Sequence, residues 1–395
     1  MSINKHFKII KKAIKKHTQL IDTYFLIKYA FSPYMACEHG CKYCDGRAEK
    51  YYVAGDFEKD IIIRKNLPEL LSLELKKLRE PGLIFIGSGI SDAYQPIEKE
   101  EKLMREAAKI LLKFNFPVAV MTKSSLILRD LDIWSELNKK NGFILMLSLT
   151  MLDDKVRNTF EPNASSVEER LETLRKFKEK GIPVGISGMP FIPFITNKEK
   201  DLRELLTELK SIPVDFMFYG SLTLRPGCQK QFFMKVIKEK YPNLLQEFKV
   251  LYGEDRASGS PLKSYSHEFF NTISKLLMEF EIPTQIPHYL YKGKFSLYDE
   301  IFILLNHMTE LYKSKGIKIN RLLKALKNYS NWILEEKKYF NRRRNLSYEL
   351  IEDKIRHRFK TGEFNDVLQN EKLFQFLKQI VLEEKTLDYN KLKIV

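Results

Sequence analysis

Residues 37–44 read CEHGCKYC and hold three of the four cysteines in this chain of 395 residues. Cys37, Cys41 and Cys44 follow an apolar, β-type stretch, so one tight loop can bring their three thiolates together. Thiolates are the preferred ligands of iron-sulfur clusters, which normally take four of them. No fourth cysteine lies nearby. The motif therefore predicts a cluster with one iron open to a molecule that carries amino and carboxylate groups.

The alternative to a cluster is a zinc site, in which His39 or Cys228 completes a tetrahedron. Zinc motifs usually contain two pairs of cysteines, and this sequence has no second pair. Cys228 stands alone, directly after Pro226 and Gly227. This distribution would make a poor disulfide framework and suits a reducing compartment, so we expect a cytoplasmic protein.

Outward from the motif, short apolar runs alternate with amphipathic helical patterns. Such repeated βα units form a parallel sheet, and sites in these folds gather at the carboxyl ends of the strands. Six units are too few for a closed eight-stranded barrel, so we predict an α/β fold with an open, partial (βα)6 TIM-type barrel. The predicted strands are 25–31, 83–87, 117–122, 143–149, 183–191 and 214–221, and the predicted helices are 67–78, 98–113, 131–139, 167–180 and 198–209.

The alternation gives way to a helical pattern after residue 227, which predicts a helical C-terminal appendage. We therefore predict three parts: a basic N-terminal arm at 1–30, the barrel domain at 31–290 and a basic helical region at 291–395. The longest apolar stretches, such as 142–149, are too short to span a bilayer.

The formal net charge of +16 is concentrated at the two ends of the chain. Residues 1–30 contain seven lysines and one aspartate, and residues 291–395 contain 22 basic and 14 acidic residues. This distribution is typical of a surface that binds a polyanion, and Arg342, Arg343 and Arg344 form its most basic point. A general lysine bias of the proteome would give the same composition.

The N-terminal lysines surround three apolar residues with helical spacing, Phe7, Ile10 and Ile14. This spacing predicts an amphipathic helix. Such a helix can lie on an anionic membrane, but it more often packs on the domain that it precedes. The first 16 residues are too rich in lysine for a secretory signal, and they lack a small-residue cleavage site.

Further motifs follow at the ends of the predicted strands: GISDAYQPIE at 89–98, TKS at 122–124, RD at 129–130, SLT at 148–150 with Asp153, EP at 161–162, Arg170 and PFIP at 190–193. With the Cys-x3-Cys-x2-Cys spacing, this order resembles the spore photoproduct lyase-like branch of the radical S-adenosylmethionine (SAM) superfamily, often labelled DNA repair photolyase. The resemblance covers about residues 30–250. It implies a radical SAM enzyme, a lyase or another radical transformation, with a 4Fe-4S cluster, SAM and a reductant protein of the flavodoxin or ferredoxin type.

The resemblance also implies roles for individual residues. The three clustered cysteines are the implied metal ligands. Ser91 and Asp92 would meet the amino group of the methionine part of SAM, and Lys123 would meet its carboxylate. Ser148 would bond the ribose or the carboxylate, and Tyr43 would border the adenine. The full set of implied cofactor-binding residues is Tyr43, Ser91, Asp92, Lys123, Ser148 and Arg170.

Two departures from the family pattern bear on the reaction. Ile90 stands where spore photoproduct lyases have the cysteine that returns a hydrogen atom to the repaired thymine. Cys228, Tyr94 or Tyr219 is therefore a candidate hydrogen donor, with Cys228 as the predicted catalytic residue. Residues 45–47, Asp-Gly-Arg, replace the more usual Tyr-Ala-Arg and indicate a distinct subgroup.

Three functions follow from these patterns. The first is a radical SAM enzyme that acts on a nucleic-acid base or lesion, with the basic ends bound to phosphates. The second is a radical SAM enzyme that acts on a small molecule or a protein. The third is a zinc-stabilised nucleic-acid-binding protein without catalysis.

Overall fold

Six parallel strands form the centre of the described part of the chain. The structure is a computed structural model and describes residues 3–17, 19–51, 53, 55–87, 89–342 and 348–395. Its strands are β1 (Asn4–Lys8), β2 (Lys15–Lys16), β3 (Tyr29–Phe31), β4 (Tyr34–Met35), β5 (Asp60–Arg64), β6 (Ile84–Ile86), β7 (Val118–Thr122), β8 (Phe143–Ser148), β9 (Val184–Phe191), β10 (Phe216–Ser221), β11 (Leu387–Asp388) and β12 (Lys393–Ile394).

Helices connect the strands and make up most of the C-terminal half. They are α1 (Leu67–Leu75), α2 (Glu98–Glu101), α3 (Leu103–Leu111), α4 (Leu131–Lys140), α5 (Asp154–Phe160), α6 (Val167–Glu179), α7 (Glu199–Ser211), α8 (Cys228–Lys240), α9 (Leu245–Leu251), α10 (Lys263–Glu279), α11 (His288–Tyr291), α12 (Leu297–Ser314), α13 (Asn320–Arg342), α14 (Glu349–Thr361), α15 (Phe364–Leu368) and α16 (Glu371–Leu382). None of the described helices is both long and apolar enough to cross a membrane.

The main sheet has the strand order β10-β9-β8-β7-β6-β3-β2. Strands β3 to β10 in this sheet run parallel, and β2 pairs antiparallel with β3 at the edge. Each of the six predicted strands is present, in the predicted order. The prediction of an open, partial α/β barrel with a helical appendage is therefore confirmed. The predicted helix 98–113 is divided at Lys102, whose φ is +53°.

Both faces of the parallel strands are buried, which explains why these strands are continuously apolar. Alternate side chains such as Ile84 and Val118 belong to the core that lies beneath the connecting helices. Their neighbours, such as Phe85 and Ala119, face the opposite side and pack against α12 and other C-terminal helices. Gly185 belongs to β9, where an added Cβ would clash with the ring of Phe216 on the neighbouring strand.

The C-terminal helices therefore cover the inner face of the open barrel. Helix α12 is buried on nearly all sides, with 13 of its 18 side chains inaccessible. The division at residues 30 and 290 stays a prediction. However, residues on both sides of it share one core, since Leu26, Phe218 and Ile301 belong to the same cluster.

The N-terminal segment does not form the predicted amphipathic helix. That prediction is therefore wrong for the described residues. Residues 4–8 form strand β1, which pairs in parallel with β5 through backbone hydrogen bonds. Lys5 pairs with Glu100 and Glu101 at 2.6 and 2.9 Å. Phe7 remains exposed, so its apolar side chain does not pack on the domain as predicted.

A buried ionic network joins the N-terminal segment to the C-terminal helices. The Lys28 ammonium lies 2.6 Å from Asp299 and 2.7 Å from Glu80, and Lys337 lies 3.2 Å from Asp299. Burial alone would lower the pKa of Lys28, but Asp299 and Glu80 raise it above its ordinary value. The network holds α12 and α13 against the start of β3.

Replacing Asp299 by Ala should lower the free energy of unfolding by about 3–5 kcal/mol, because the change leaves a buried cation without its main partner. Urea denaturation followed by circular dichroism measures this loss. The matched control is Glu106→Ala, which breaks an exposed pair with Lys109 and should cost no more than about 1 kcal/mol. Equal losses in the two variants would contradict a structural role for the network.

Candidate active site

A cavity of about 410 Å³ opens at the carboxyl ends of the parallel strands. This is the end of the sheet where such folds place their sites. The cavity is lined by side chains from the cysteine loop and from the ends of five strands: Phe25, Cys37, His39, Cys41, Tyr43, Cys44, Asp45, Gly89, Ser91, Asp92, Met121, Thr122, Lys123, Ser148, Ser187, Met189, Pro190, Gly220, Ser221, Leu222 and Thr223.

The three clustered cysteines line this one cavity. The loop turns at Gly40, whose φ of +64° favours glycine and whose added Cβ would lie 2.9 Å from a carboxylate oxygen of Glu58. Cys37 and Cys41 are buried, and Cys44 is partly exposed. Burial raises the pKa of each of the three thiols, that of Cys41 to about 12. Such thiols become thiolate ligands when a bound metal supplies positive charge.

A zinc site and a cluster require different arrangements of ligands. Among the described residues, no three His, Cys, Asp or Glu side chains converge where one metal ion could bind. Zinc needs such convergence, whereas a cubane takes one cysteine at each of several irons. Cys228 lies exposed at the start of α8 and does not line the cavity. Cys228 therefore does not supply the fourth ligand that a zinc ion at the three cysteines would need.

The segment at 160–163 holds the cysteine loop in place. The backbone N–H of Lys42 donates to the Phe160 carbonyl at 2.8 Å, and the N–H of Asn163 donates to the His39 carbonyl at 3.3 Å. The Asn163 side chain also donates to the Glu38 carbonyl at 2.8 Å. The loop is therefore fixed by contacts to a segment more than 110 residues further along the chain.

A buried chain of three side chains lies beneath the loop. The Tyr43 hydroxyl donates to Glu161, and the Arg170 guanidinium pairs with the same carboxylate at 2.5 Å. Arg170 also donates to the Ser148 carbonyl at 3.0 Å. Arg170 does not line the cavity, so the structure gives it a supporting position instead of the predicted cofactor contact. The reason is that Glu161 neutralises its charge inside the protein.

Asp92 lines the cavity, and three protein donors bond its carboxylate. Oδ1 accepts from the Tyr94 N–H at 2.8 Å and from the Thr122 hydroxyl at 2.7 Å. Oδ2 accepts from the Lys123 N–H at 2.8 Å and lies 3.3 Å from Nε2 of His39. Burial would raise the pKa of Asp92, but His39, Thr122 and the Lys123 N–H lower it to about 2. The carboxylate is therefore ionised and committed to the protein around it.

Lys123 presents the free cation of the cavity. Its ammonium lies 5.9 Å from the centre of the Tyr43 ring, and no described carboxylate lies within ion-pair distance of it. The nearby carboxylate of Glu161 is already bonded to Tyr43 and Arg170. A carboxylate-bearing ligand would therefore find an unpaired ammonium at this wall.

The other predicted cofactor-binding residues reach the cavity in different ways. Ser91, Ser148 and Tyr43 line the cavity, which their predicted contacts with SAM require. The Ser91 hydroxyl donates to the Ala36 carbonyl at 2.8 Å, which ties the loop after β6 to the cysteine loop. The predicted residues therefore meet at one cavity, with Arg170 as the exception.

Sequence reasoning assigned no role to Gln95 or Glu161 and considered His39 only as a zinc ligand, yet all three support the site. Gln95 accepts from the Glu38 N–H at 2.8 Å and donates to the Ala36 carbonyl at 3.2 Å. Glu161 and His39 bond the loop as described above. His39 belongs to the cysteine motif, and Gln95 and Glu161 belong to the family motifs. A sequence motif does not show in which direction a side chain points.

Part of the cavity wall is apolar. It is formed by Phe25, Met121, Met189 and Pro190, and the small hydroxyl residues Ser187, Ser221 and Thr223 lie among them. The Asp45 carboxylate at the rim accepts from Thr223 at 3.1 Å and from Gln229 at 3.0 Å. A flat, weakly polar group fits such a wall better than a charged one does.

None of the three candidate hydrogen donors lines the cavity. Cys228 lies on the surface, so the prediction that it is catalytic is not supported. Tyr94 is buried and its hydroxyl donates to Asp130 at 3.1 Å. The Tyr219 hydroxyl lies 2.6 Å from that of Ser274 on α10. Tyr94 and Tyr219 are hydrogen-bonded elsewhere in the fold, and Cys228 is exposed to solvent.

Residues 31–206 match the family model of the radical SAM superfamily. They form a radical SAM domain. Enzymes with this domain use a 4Fe-4S cluster and SAM. The cavity fits these groups, because it joins three cysteine thiols to an unpaired ammonium.

Several proteins are similar to this chain in sequence or in fold. An uncharacterized protein of Methanocaldococcus jannaschii is 28% identical over 249 residues, which are 63% of this chain and 86% of that protein. An uncharacterized protein of Mycobacterium tuberculosis is 24% identical over 232 residues, 57% of this chain and 67% of that protein. A mutant of spore photoproduct lyase has a similar fold, with a TM-score of 0.51, 18% identity and coverage of 70% of this chain and 79% of that one. The similarity to spore photoproduct lyase is thus one of fold.

Proposed function

We propose that Cys37, Cys41 and Cys44 hold the 4Fe-4S cluster, that SAM binds beside it, and that the enzyme acts on a nucleic-acid base or lesion. The observation that carries the first two parts is the shared cavity, where three cysteines and the unpaired ammonium of Lys123 lie together. With SAM bound, the reduced cluster supplies the electron that cleaves SAM to methionine and a 5′-deoxyadenosyl radical.

The residues of the cavity bind and orient SAM. Lys123 pairs with its carboxylate, and the aromatic ring of Tyr43 borders its adenine. The hydroxyls of Ser91 and Ser148 offer hydrogen bonds on either side. Asp92 accepts a hydrogen bond from the backbone N–H of Lys123. This bond fixes the backbone position from which the Lys123 side chain extends. The apolar wall of Phe25, Met121 and Met189 excludes water from the reacting atoms.

Two observations support a nucleic-acid substrate. The apolar wall suits a planar base that has been taken out of its stack. A spore photoproduct lyase complexed with a dinucleoside spore photoproduct also has this fold, with a TM-score of 0.50 and 17% identity. A reductant protein of the flavodoxin or ferredoxin type would supply the electron.

Exposed basic side chains support binding to phosphates. Lys8, Lys11, Lys12 and Lys15 are exposed in the N-terminal segment, whereas Lys28 is buried in an ionic network. The predicted triplet at 342–344 lies outside the residues whose side chains the structure describes. Helix α13 and the turn before it carry further exposed basic residues, among them Lys318, Arg321, Lys324 and Lys327.

Replacing Cys37, Cys41 or Cys44 by Ala should abolish the cluster, because each variant leaves only two of the three thiolates. Iron and sulfide analysis after anaerobic reconstitution should give about four of each per wild-type chain. The matched control is Cys228→Ala, which removes an exposed thiol and should retain the full content. Stoichiometric zinc without sulfide in the wild type would overturn the proposed cluster.

Lys123→Met should weaken SAM binding by about 10- to 100-fold, because a hydrogen bond between charged groups contributes about 1.5–3 kcal/mol. Equilibrium binding to the reconstituted protein measures the change, and iron content should stay constant. Lys155→Met, an exposed lysine on α5, is the matched control. An unchanged affinity for SAM in Lys123→Met would show that the carboxylate binds elsewhere.

Charge reversal at Arg321, Lys324 and Lys327 should weaken binding to DNA or RNA and flatten its salt dependence. Each phosphate contact contributes about −0.9 to the log–log slope on duplex DNA and about −0.7 on single strands, so three lost contacts change the slope by about 2–3. Filter binding between low and high salt measures this slope.

The control reverses Lys113, Lys139 and Lys180, which are exposed beside the barrel helices. It changes the net charge equally. Equal effects of both sets would indicate a general lysine bias. No binding of the wild type at low salt would favour a small-molecule or protein substrate.

A further inference from the structure

Gln229 is a completely buried side chain on α8, and its amide bonds two separate parts of the chain. Nε2 donates to Oδ1 of Asp45 at 3.0 Å, to the Thr223 carbonyl at 3.0 Å and to the Tyr43 carbonyl at 3.1 Å. The two amide hydrogens are shared among these three oxygens. Oε1 accepts from the backbone N–H of Arg225 at 2.8 Å. Three acceptors at the nitrogen and a donor at the oxygen fix the orientation of the amide.

The partners of Gln229 come from opposite ends of the parallel sheet. Tyr43 and Asp45 belong to the cysteine loop and its continuation, which follow β3 and β4, whereas Thr223 and Arg225 follow β10. β3 and β10 are the outermost of the six parallel strands, and four strands separate them in the sheet. Gln229 therefore connects the first and last units of the open barrel, at the end where the cavity lies.

Two further contacts support this junction. The Thr223 hydroxyl donates to Oδ1 of Asp45 at 3.1 Å. Tyr43 belongs to the same apolar cluster as Leu222, which precedes Thr223. All four of these residues line the cavity. The junction between the cysteine loop and the segment after β10 is therefore part of the cavity wall.

We propose that Gln229 is a positioning residue, which holds Cys44 in a fixed place relative to the cavity wall after β10. Tyr43 and Asp45 stand on either side of Cys44, and Gln229 bonds both of them. The proposal rests on the proposed function, in which the cysteines hold the cluster and SAM binds beside it. Gln229 does not line the cavity and acts through residues that do. It also lies outside residues 31–206, which match the family model.

The role predicts that SAM binding and SAM cleavage respond differently to a change of Gln229. Gln229→Met keeps the length of the side chain and removes its hydrogen bonds. The three thiols and Lys123 remain, so iron content should be full and the dissociation constant for SAM should stay within about threefold of wild type. The segment around Cys44 would move relative to the wall. Cleavage of SAM by dithionite-reduced protein should therefore slow about 10- to 100-fold at saturating SAM, because small misplacements reduce the rate by such factors.

Hydrogen exchange measures the same junction without the reaction. In the reconstituted protein before SAM is added, the Arg225 N–H is bonded to Gln229, and the Arg47 N–H donates to the Cys44 carbonyl at 3.2 Å. Segments 43–49 and 222–229 should both exchange about tenfold faster in Gln229→Met, because they lose the bonds that join them. The amides of β7 and β8 should keep their wild-type rates.

Asn138→Leu is the matched control. Asn138 is another amide that bonds two backbone groups, since it donates to the Gly181 carbonyl at 3.2 Å and accepts from the Phe143 N–H at 3.0 Å. These contacts lie at the amino ends of the strands, away from the cavity. The control should therefore leave both the rate of SAM cleavage and the exchange of the two segments unaltered.

Thr223→Val is a second variant, which tests the same junction if Gln229→Met does not fold. It keeps the shape of the side chain and removes only the hydroxyl that bonds Asp45. SAM cleavage should slow about threefold. Added to Gln229→Met, the change should have little further effect, because both side chains act through Asp45.

Three outcomes would overturn the proposal. The first is a wild-type rate of SAM cleavage in Gln229→Met, or in Thr223→Val where the first variant does not fold. The second is faster exchange throughout the sheet with an unchanged rate per iron, which would indicate a general structural role. The third is loss of iron in the variants, which would make Gln229 a support of cluster binding. Failure of the proposed function is distinguishable, since the wild type itself would then lack iron and sulfide or leave SAM uncleaved.

Discussion

Six parallel strands with apolar side chains on both faces must be covered on both faces, and the rest of the structure follows from this constraint. The connecting helices cover the outer face. The inner face is covered by α12 and the other C-terminal helices, which share a core with Phe85, Ala119 and Phe218. With both faces closed, the carboxyl ends of the strands remain as the open part of the barrel. The cavity with the three cysteines lies there.

Several charged groups in the interior of the described part of the chain are paired. Lys28 pairs with Asp299 and Glu80, Arg170 pairs with Glu161, and the carboxylate of Asp92 accepts three hydrogen bonds. Unpaired buried charges are costly, so such pairing is expected of a stable fold. Lys123 in the cavity has no described carboxylate partner. Its charge is therefore left for a ligand, which supports the proposed contact with SAM.

The site combines a rigid support with a wall that is apolar in part. The segment at 160–163 holds the cysteine loop, and Asp92 bonds the end of β7. Across the cavity, Phe25, Met121 and Met189 present few polar atoms. A rigid side suits the binding of a cofactor in one orientation, and an apolar wall suits a substrate that reacts away from water. Both features fit the radical SAM enzyme that the family assignment indicates.

The sequence alone determined the six parallel strands, most of the helices that connect them and the residues of the cysteine loop. Hydrophobic periodicity depends on neighbours within a few residues, and the spacing of Cys37, Cys41 and Cys44 is itself local. These features were therefore readable without a structure, and the motif order placed Lys123 and Asp92 at the cavity.

Only the tertiary structure decided which side chains reach the cavity. Arg170 turns inward because Glu161 neutralises it, Cys228 lies on the surface, and residues 4–8 form a strand because β5 offers a ladder more than 50 residues away. His39 gained its position from Asn163 and Asp92, which are distant in sequence. Contacts of this kind depend on the direction of each side chain and on chain segments that meet only after folding, and neither is encoded in local spacing.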